Sequence, residues 1–189
     1  MGRRDAVSGK GQGVNTEKVG VIGIGNVLMG DDAVGPYIIK MLKARWEMPV
    51  RVALIDAGTA GMSLPSLMEG YHTVILVDTV QAEGGGGTVH RYDREALLAK
   101  PFAQALTPHD PGLRDALLLS ELLGNGPQEA VLVGMVPECV DGGVGLSCVV
   151  RGAMDALAEA VVGELERLGV SVARREIPLD PDLWWERSP

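Results

Sequence analysis

The sequence predicts an α/β three-layer sandwich, a mostly parallel, twisted sheet of about five strands with helices on both faces. Three observations carry that expectation. Short apolar runs of strand length alternate with segments whose apolar residues recur at helical spacing. The run at 73–78 is apolar enough for a central strand covered on both sides. Aromatic residues make up only 4% of the 189-residue chain, so the core must be built mostly from Val, Leu, Ile and Ala.

The elements follow in order. Val19 to Gly25 (VGVIGIG) reads as a buried strand. Val34, Ile38, Met41 and Leu42 then recur at helical spacing, with Pro36 suited to a first turn. Val50 to Asp56 (VRVALID) is a second strand, and Ser63 is placed to cap a short helix running through Glu69. Thr73 to Asp78 (TVILVD) is the third strand. The glycines at 84–87 read as a flexible turn into an edge strand over Thr88–Tyr92. Leu113, Ala116, Leu117 and Leu123 mark another helix, and Ala130 to Val136 (AVLVGMV) a last strand. Met154, Leu157, Ala158, Val161, Val162, Leu165 and Leu168 form the clearest amphipathic pattern, which Gly169 can end.

A chain of this length suits one domain, expected over residues 19–170. Residues 1–18 are basic and polar and read as a disordered extension. Residues 171–189 form a tail whose Trp184 and Trp185 could pack back on the core or stay free. The N-terminus lacks the apolar stretch of a signal peptide, and no run reaches the ~20 apolar residues of a membrane helix. The net charge of −8 argues against a nucleic-acid partner. Cys139 and Cys148 show no metal-ligand or CxxC spacing, which fits a reduced, cytoplasmic protein.

Strand ends carry the chemistry. Asp31 and Asp32 lie in the loop after the first strand, Asp56 ends the second and Asp78 the third. In a parallel sheet these ends share the carboxyl edge, where open α/β proteins place their sites. Acids gathered there repel one another unless a cation or proton joins them. His109 precedes the helix that leads to the last strand, which places it at the same edge near Asp32 and Asp78. Imidazole with carboxylates suits borderline divalent metals such as nickel or zinc. Each residue alone is more often a turn or cap residue; the metal expectation rests on their convergence. His72 and His90 read as surface residues.

The glycine loop GIGNVLMGDD has rival readings. A dinucleotide fingerprint needs a third glycine where Leu28 stands, and Asp31 and Asp32 would repel a pyrophosphate. The loop resembles that of peptidyl-tRNA hydrolases, but the nearest downstream histidine is His72. Asp78-Thr79 resembles the aspartic-protease motif, but Val80 stands where Gly is needed.

Five blocks in order carry a more specific resemblance. They are Gly23-Ile24-Gly25-Asn26-Val27-Leu28 with Asp31-Asp32 and Gly35; Asp56-Ala57-Gly58-Thr59; Val77-Asp78; Thr107-Pro108-His109 with Leu113 and Arg114; and Gly134-Met135-Val136-Pro137-Glu138 with Gly145-Leu146-Ser147. Over about residues 19–168 the chain resembles the hydrogenase maturation proteases. That resemblance implies an endopeptidase that removes the C-terminal extension of a nickel–iron hydrogenase large-subunit precursor once nickel is inserted. It implies a metal trio of Asp32, Asp78 and His109, with Asp56 as a supporting acid among the catalytic residues. At the position of Asp32 the family often has Glu, which reaches further. Nickel is expected to arrive with the substrate, and zinc or cadmium could occupy the site. The partner implied is the precursor; no nucleic acid or membrane is expected. The non-enzyme alternative is a nickel-binding chaperone or sensing module with the same cleft but no peptidase activity.

Overall fold

Strand β1 (Val19–Ile24) sends Val19 and Val21 to one face of the sheet and Ile22 and Ile24 to the other. Strand β4 (Thr73–Thr79) does the same with Ile75 and Val77 against Val74 and Leu76. Strand β6 (Glu129–Met135) divides Val131 and Val133 from Ala130 and Leu132. Apolar side chains on both faces require a cover on both faces. Helices α1 (Val34–Arg45) and α5 (Cys148–Arg167) provide the first. Helices α2 (Leu64–Met68) and α4 (Gly112–Leu122), with Leu97 of the short α3 (Arg94–Ala99), provide the second. The computed structural model describes residues 17–99 and 112–187.

The remaining strands are β3 (Val52–Gly58), β5 (Val89–Asp93), and the short pair β2 (Trp46–Glu47) and β7 (Ala173–Arg174). The main sheet runs β3-β1-β4-β6-β5, parallel except for the antiparallel edge strand β5. The expected three-layer architecture is therefore observed. Asp78 and His90 both pair with Gly134, so these three residues share one rung across β4, β6 and β5.

Glycine sets how closely α1 approaches β1. A Cβ on Gly23 would lie 2.2 Å from the Gly35 carbonyl oxygen, and one on Gly35 would lie 2.1 Å from that of Ile24. The two backbones are in direct contact, which fixes the loop between them.

Four local expectations change. The second strand starts at Val52, because Val50 is fully exposed in a turn closed by Val52 N–H donating to the Pro49 carbonyl. Ser63 does not cap α2; its hydroxyl donates to the Ala60 carbonyl at 2.7 Å, inside a 3-10 turn over Gly61–Ser63. Leu123 lies beyond the end of α4 and is exposed. The second half of the glycine run is packed rather than free. Gly87 N–H donates to the Val136 carbonyl, Val136 N–H to that of Thr88, and a Cβ on Gly86 or Gly87 would strike Glu138 or Ala153.

The tail docks on the α1 side. Arg175 and Leu179 donate backbone N–H groups to the carbonyls of Arg45 and Ala44 at the end of α1. Trp185 is buried edge-to-face on Tyr37, with ring centroids 5.2 Å apart. Glu186 accepts hydrogen bonds from the Tyr37 hydroxyl and from Arg151 of α5. The Arg151 contact holds the Glu186 carboxyl below its ordinary range against the opposing effect of burial.

Glu164 of α5 ties the edge strand down. It accepts from Arg91 Nε of β5 at 2.6 Å and from Arg167 Nε at 2.8 Å. Burial pushes its carboxyl up, but the two guanidiniums more than offset this and hold it below the ordinary range. A depressed folded-state pKa adds stability above the unfolded-state pKa, and that stability is lost as pH falls through the folded value. Replacing Glu164 with Gln should therefore cost about 1–3 kcal/mol at pH 7, the range for hydrogen bonds to charged groups. Urea titrations at pH 7 and pH 3 test this: the gap between wild type and E164Q should narrow at the lower pH, and a gap independent of pH would contradict it.

Candidate active site

The loop after β1 is held by its neighbours' backbones before any catalytic side chain is placed. Gly30 N–H donates to the Gly143 carbonyl, Gly143 N–H to Leu28, and Asp31 N–H to Cys139, each at 2.9 Å. Gly30 has a φ of +54°, and a Cβ there would approach the Cys139 carbonyl oxygen to 2.9 Å. Asp31, in the 3-10 turn Gly30–Ala33, is fully buried. Its Oδ2 accepts from the backbone N–H groups of Glu138 and Cys139 at 2.9 Å, and its Oδ1 from that of Ser147 at 2.7 Å. The carboxylate is thus a structural anchor for the closing block, with its lone pairs directed at backbone donors.

Asp32 points elsewhere. Its Oδ2 accepts from Asn26 N–H at 2.9 Å, and its Oδ1 lies 3.4 Å from the hydroxyl of Thr79. The backbone N–H of Thr79 donates to Oδ1 of Asp78 at 2.8 Å. One buried threonine at the end of β4 therefore touches both carboxylates, which are themselves 6% and 0% exposed. Asp32 also directly precedes the first turn of α1, where the positive end of the helix dipole favours an anion. Two buried carboxylates beside one threonine are oxygen donors of the kind a divalent cation takes. Asp56 stands one strand further out and is exposed; its Oδ1 accepts from Gly58 N–H at 3.2 Å. His109 lies outside the described residues. Among the described residues no group of three or more His, Cys, Asp or Glu could hold a metal ion, so a metal here would need a donor beyond Asp32 and Asp78.

From Val80, two residues beyond Asp78, the structure opens a cleft of about 810 Å³ that sequence reasoning missed. Val80, Ala82, Val136 and Pro137 line it, and His90 and Tyr92 form a wall, their rings stacked with centroids 6.2 Å apart. His90, read as a bare surface residue, hydrogen-bonds through Nε2 to the Glu83 carbonyl oxygen at 2.8 Å. Burial pushes the Tyr92 phenol above its ordinary pKa. The available signal was period two: His90 and Tyr92 alternate with Val89 and Arg91 and so face the same side of the sheet. Among the described residues neither cysteine meets a histidine; the Cys139 thiol contacts Asp141 at 3.4 Å.

An open α/β sheet with buried carboxylates gathered at its carboxyl edge is the arrangement in which α/β enzymes place their sites. Comparison with known proteins narrows this. A family model described as hydrogenase maturation protease matches residues 36–164. The chain is 31% identical over 156 residues to the hydrogenase 2 maturation protease of Escherichia coli K12, covering 82% of this chain and 95% of that one. It is also 31% identical to the hydrogenase expression/formation protein HoxM of Cupriavidus necator, covering 85% and 80%. The solved structure of the hydrogenase maturating endopeptidase HybD from E. coli superposes with a TM-score of 0.77 at 32% identity, covering 84% of this chain and 98% of that chain. The chain belongs to the hydrogenase maturation protease family, and so to the peptide-bond hydrolases.

The Asp31 anchor yields a test. Asn in its place would turn an NH₂ group toward backbone donors and leave at least one N–H buried without an acceptor. D31N should lose about 2–3 kcal/mol, the cost of an unmet buried donor to a charged partner. Hydrogen exchange should show the amides of Glu138, Cys139 and Ser147 losing protection before those of β4; unchanged protection at the three amides would contradict the anchoring role.

Proposed function

We propose that this protein removes the C-terminal extension of a nickel-loaded hydrogenase large-subunit precursor in the cytoplasm. The observation that carries this reading is the meeting of Asp32 and Asp78 on Thr79 at the carboxyl edge of a maturation-protease fold. The net charge of −8 supports a protein partner over a nucleic acid. Two free cysteines support a reducing compartment. Among the described residues no helix is long and apolar enough to cross a membrane.

Asp32, Asp78 and His109 would together hold a divalent metal, either the nickel that the precursor carries or a zinc or cadmium ion taking its place. A bound divalent ion supplies charge that polarises a carbonyl or lowers the pKa of water. The chain's own groups account for the rest. Asp32 and Asp78, fixed by Thr79 and Asn26, position the precursor so that its scissile bond lies at the carboxyl edge. Asp56 is exposed on the neighbouring strand, where its carboxylate would act as the base that takes a proton from the water attacking the scissile carbonyl carbon. That proton then passes to the leaving amine nitrogen as the C–N bond breaks.

A mobility-shift assay on both precursor forms, with free nickel chelated, tests this reading. The nickel-loaded precursor should be cut and the nickel-free form left intact. His109→Ala should lower cleavage by at least ~10²-fold in a folded protein, the lower end of what a positioned catalytic group contributes. Equal cleavage of the nickel-free form would overturn recognition through the metal.

A second outcome concerns the thiols. Both are exposed, and Cys139 contributes to the closing block through its backbone. A Cys139→Ser, Cys148→Ser double variant should therefore cleave within about twofold of wild type, since among the described residues neither thiol has the histidine that activates a cysteine nucleophile. Loss of cleavage in a folded double variant would point instead to a cysteine peptidase.

A further inference from the structure

We propose that the cleft walled by His90 and Tyr92 is the subsite that grips the precursor's peptide beside the scissile bond, and that it takes an extended segment carrying an uncharged, apolar side chain. The inference rests on the peptidase reading above and adds a recognition element to it.

Position is the first argument. Asp78, Gly134 and His90 lie on one rung, so Asp78 and His90 face the same side of the sheet. Their backbones are two strand spacings apart, roughly 10 Å, about the length of three extended residues. A peptide leaving Asp78 along the sheet edge would therefore reach the cleft within a few residues.

The second argument is that the surface between that rung and the aromatic wall is apolar. Gly134 has no side chain, and a Cβ there would lie 2.1 Å from Val80 Cγ1. Val80, itself buried, fills this space and forms the apolar base of the cleft at the Gly134 position. Ala82, Val136 and Pro137 continue that floor. The volume of about 810 Å³ lies within the ~300–1,000 Å³ typical of ligand clefts.

The third argument is the chemistry of the wall. A carbonyl oxygen only accepts, so the contact with Glu83 makes His90 Nε2 the protonated nitrogen and holds the ring in place. Tyr92 stacks against it with 21° between the planes. Two rings fixed this way present a preorganised apolar face of the kind that dominates peptide recognition. Glu83 also lines the cleft, and its carboxylate disfavours an acidic side chain there. The occupant is thus a neutral or basic stretch with one apolar anchor.

Two variants test the assignment in opposite directions. Ala82→Trp fills the cleft and Tyr92→Ala removes half its wall. Each should raise KM for the nickel-loaded precursor at least tenfold while kcat changes less than threefold, with circular dichroism confirming the fold. A synthetic peptide spanning the cleavage junction, titrated into the unmodified protein, should shift the amide resonances of Gln81, Glu83 and His90. It should not do so once its apolar residue nearest the scissile bond is replaced by Asp. Cleavage by wild type with unchanged KM in both variants, or no shifts at those amides, overturns the subsite. Failure of wild type to cut the precursor, with the shifts present, overturns the peptidase reading and leaves the peptide subsite standing.

Discussion

A buried carboxylate held by backbone N–H groups organises this site. Asp31 accepts three backbone N–H groups from the segment between β6 and α5. Burying a charge is costly unless it is fully hydrogen-bonded, and three charge-assisted bonds to rigid backbone meet that condition. The same contact joins two loops more than a hundred residues apart in sequence. It also decides what the next residue can do. Asp31 and Asp32 are consecutive in a tight 3-10 turn, so one faces the closing block while the other faces β4. The paired acids are therefore not two copies of one function: the first fixes the frame and the second occupies it.

Missing side chains matter as much as those present. Gly23 and Gly35 allow helix and strand backbones to touch, which sets where the turn carrying Asp31 and Asp32 begins. Gly134 lets Val80 fold back over β6 directly after Asp78. Without that space the chain would leave the sheet differently, and the surface between Asp78 and the His90–Tyr92 wall would have another shape. The placement of the carboxylates and the shape of the cleft are thus consequences of the same close packing.

The layering, the central position of β4 and the carboxyl-edge location of Asp32, Asp56 and Asp78 were legible because they follow from apolar runs and parallel topology. The divergence of Asp31 from Asp32 was not. Two adjacent Asp residues look alike in sequence, and only the closing block, distant along the chain, tells them apart. Ser63 misled for a local reason: its hydroxyl found a carbonyl in a 3-10 turn before it could cap α2. The glycine run at 84–87 suggested freedom, while Glu138 and Ala153 leave no space for a Cβ at Gly86 and Gly87. His90 was passed over because a lone histidine carries no pattern; its role depends on the backbone of Glu83 and on Tyr92 beside it.

The docked tail has a practical consequence for spectroscopy. The chain holds three tryptophans. Trp46 is buried where Arg174 of β7 lies over its ring, Trp185 is buried on Tyr37, and Trp184 packs against Trp185. All three belong to the α1 side of the sheet or to the tail that covers it, and none lines the cleft beside Asp78. Intrinsic tryptophan emission therefore reports on the tail and its seat, while the opposite layer, with α2 and α4, is silent at that wavelength. Emission and far-ultraviolet dichroism followed together would separate tail release from loss of the sheet in a chain with few other chromophores.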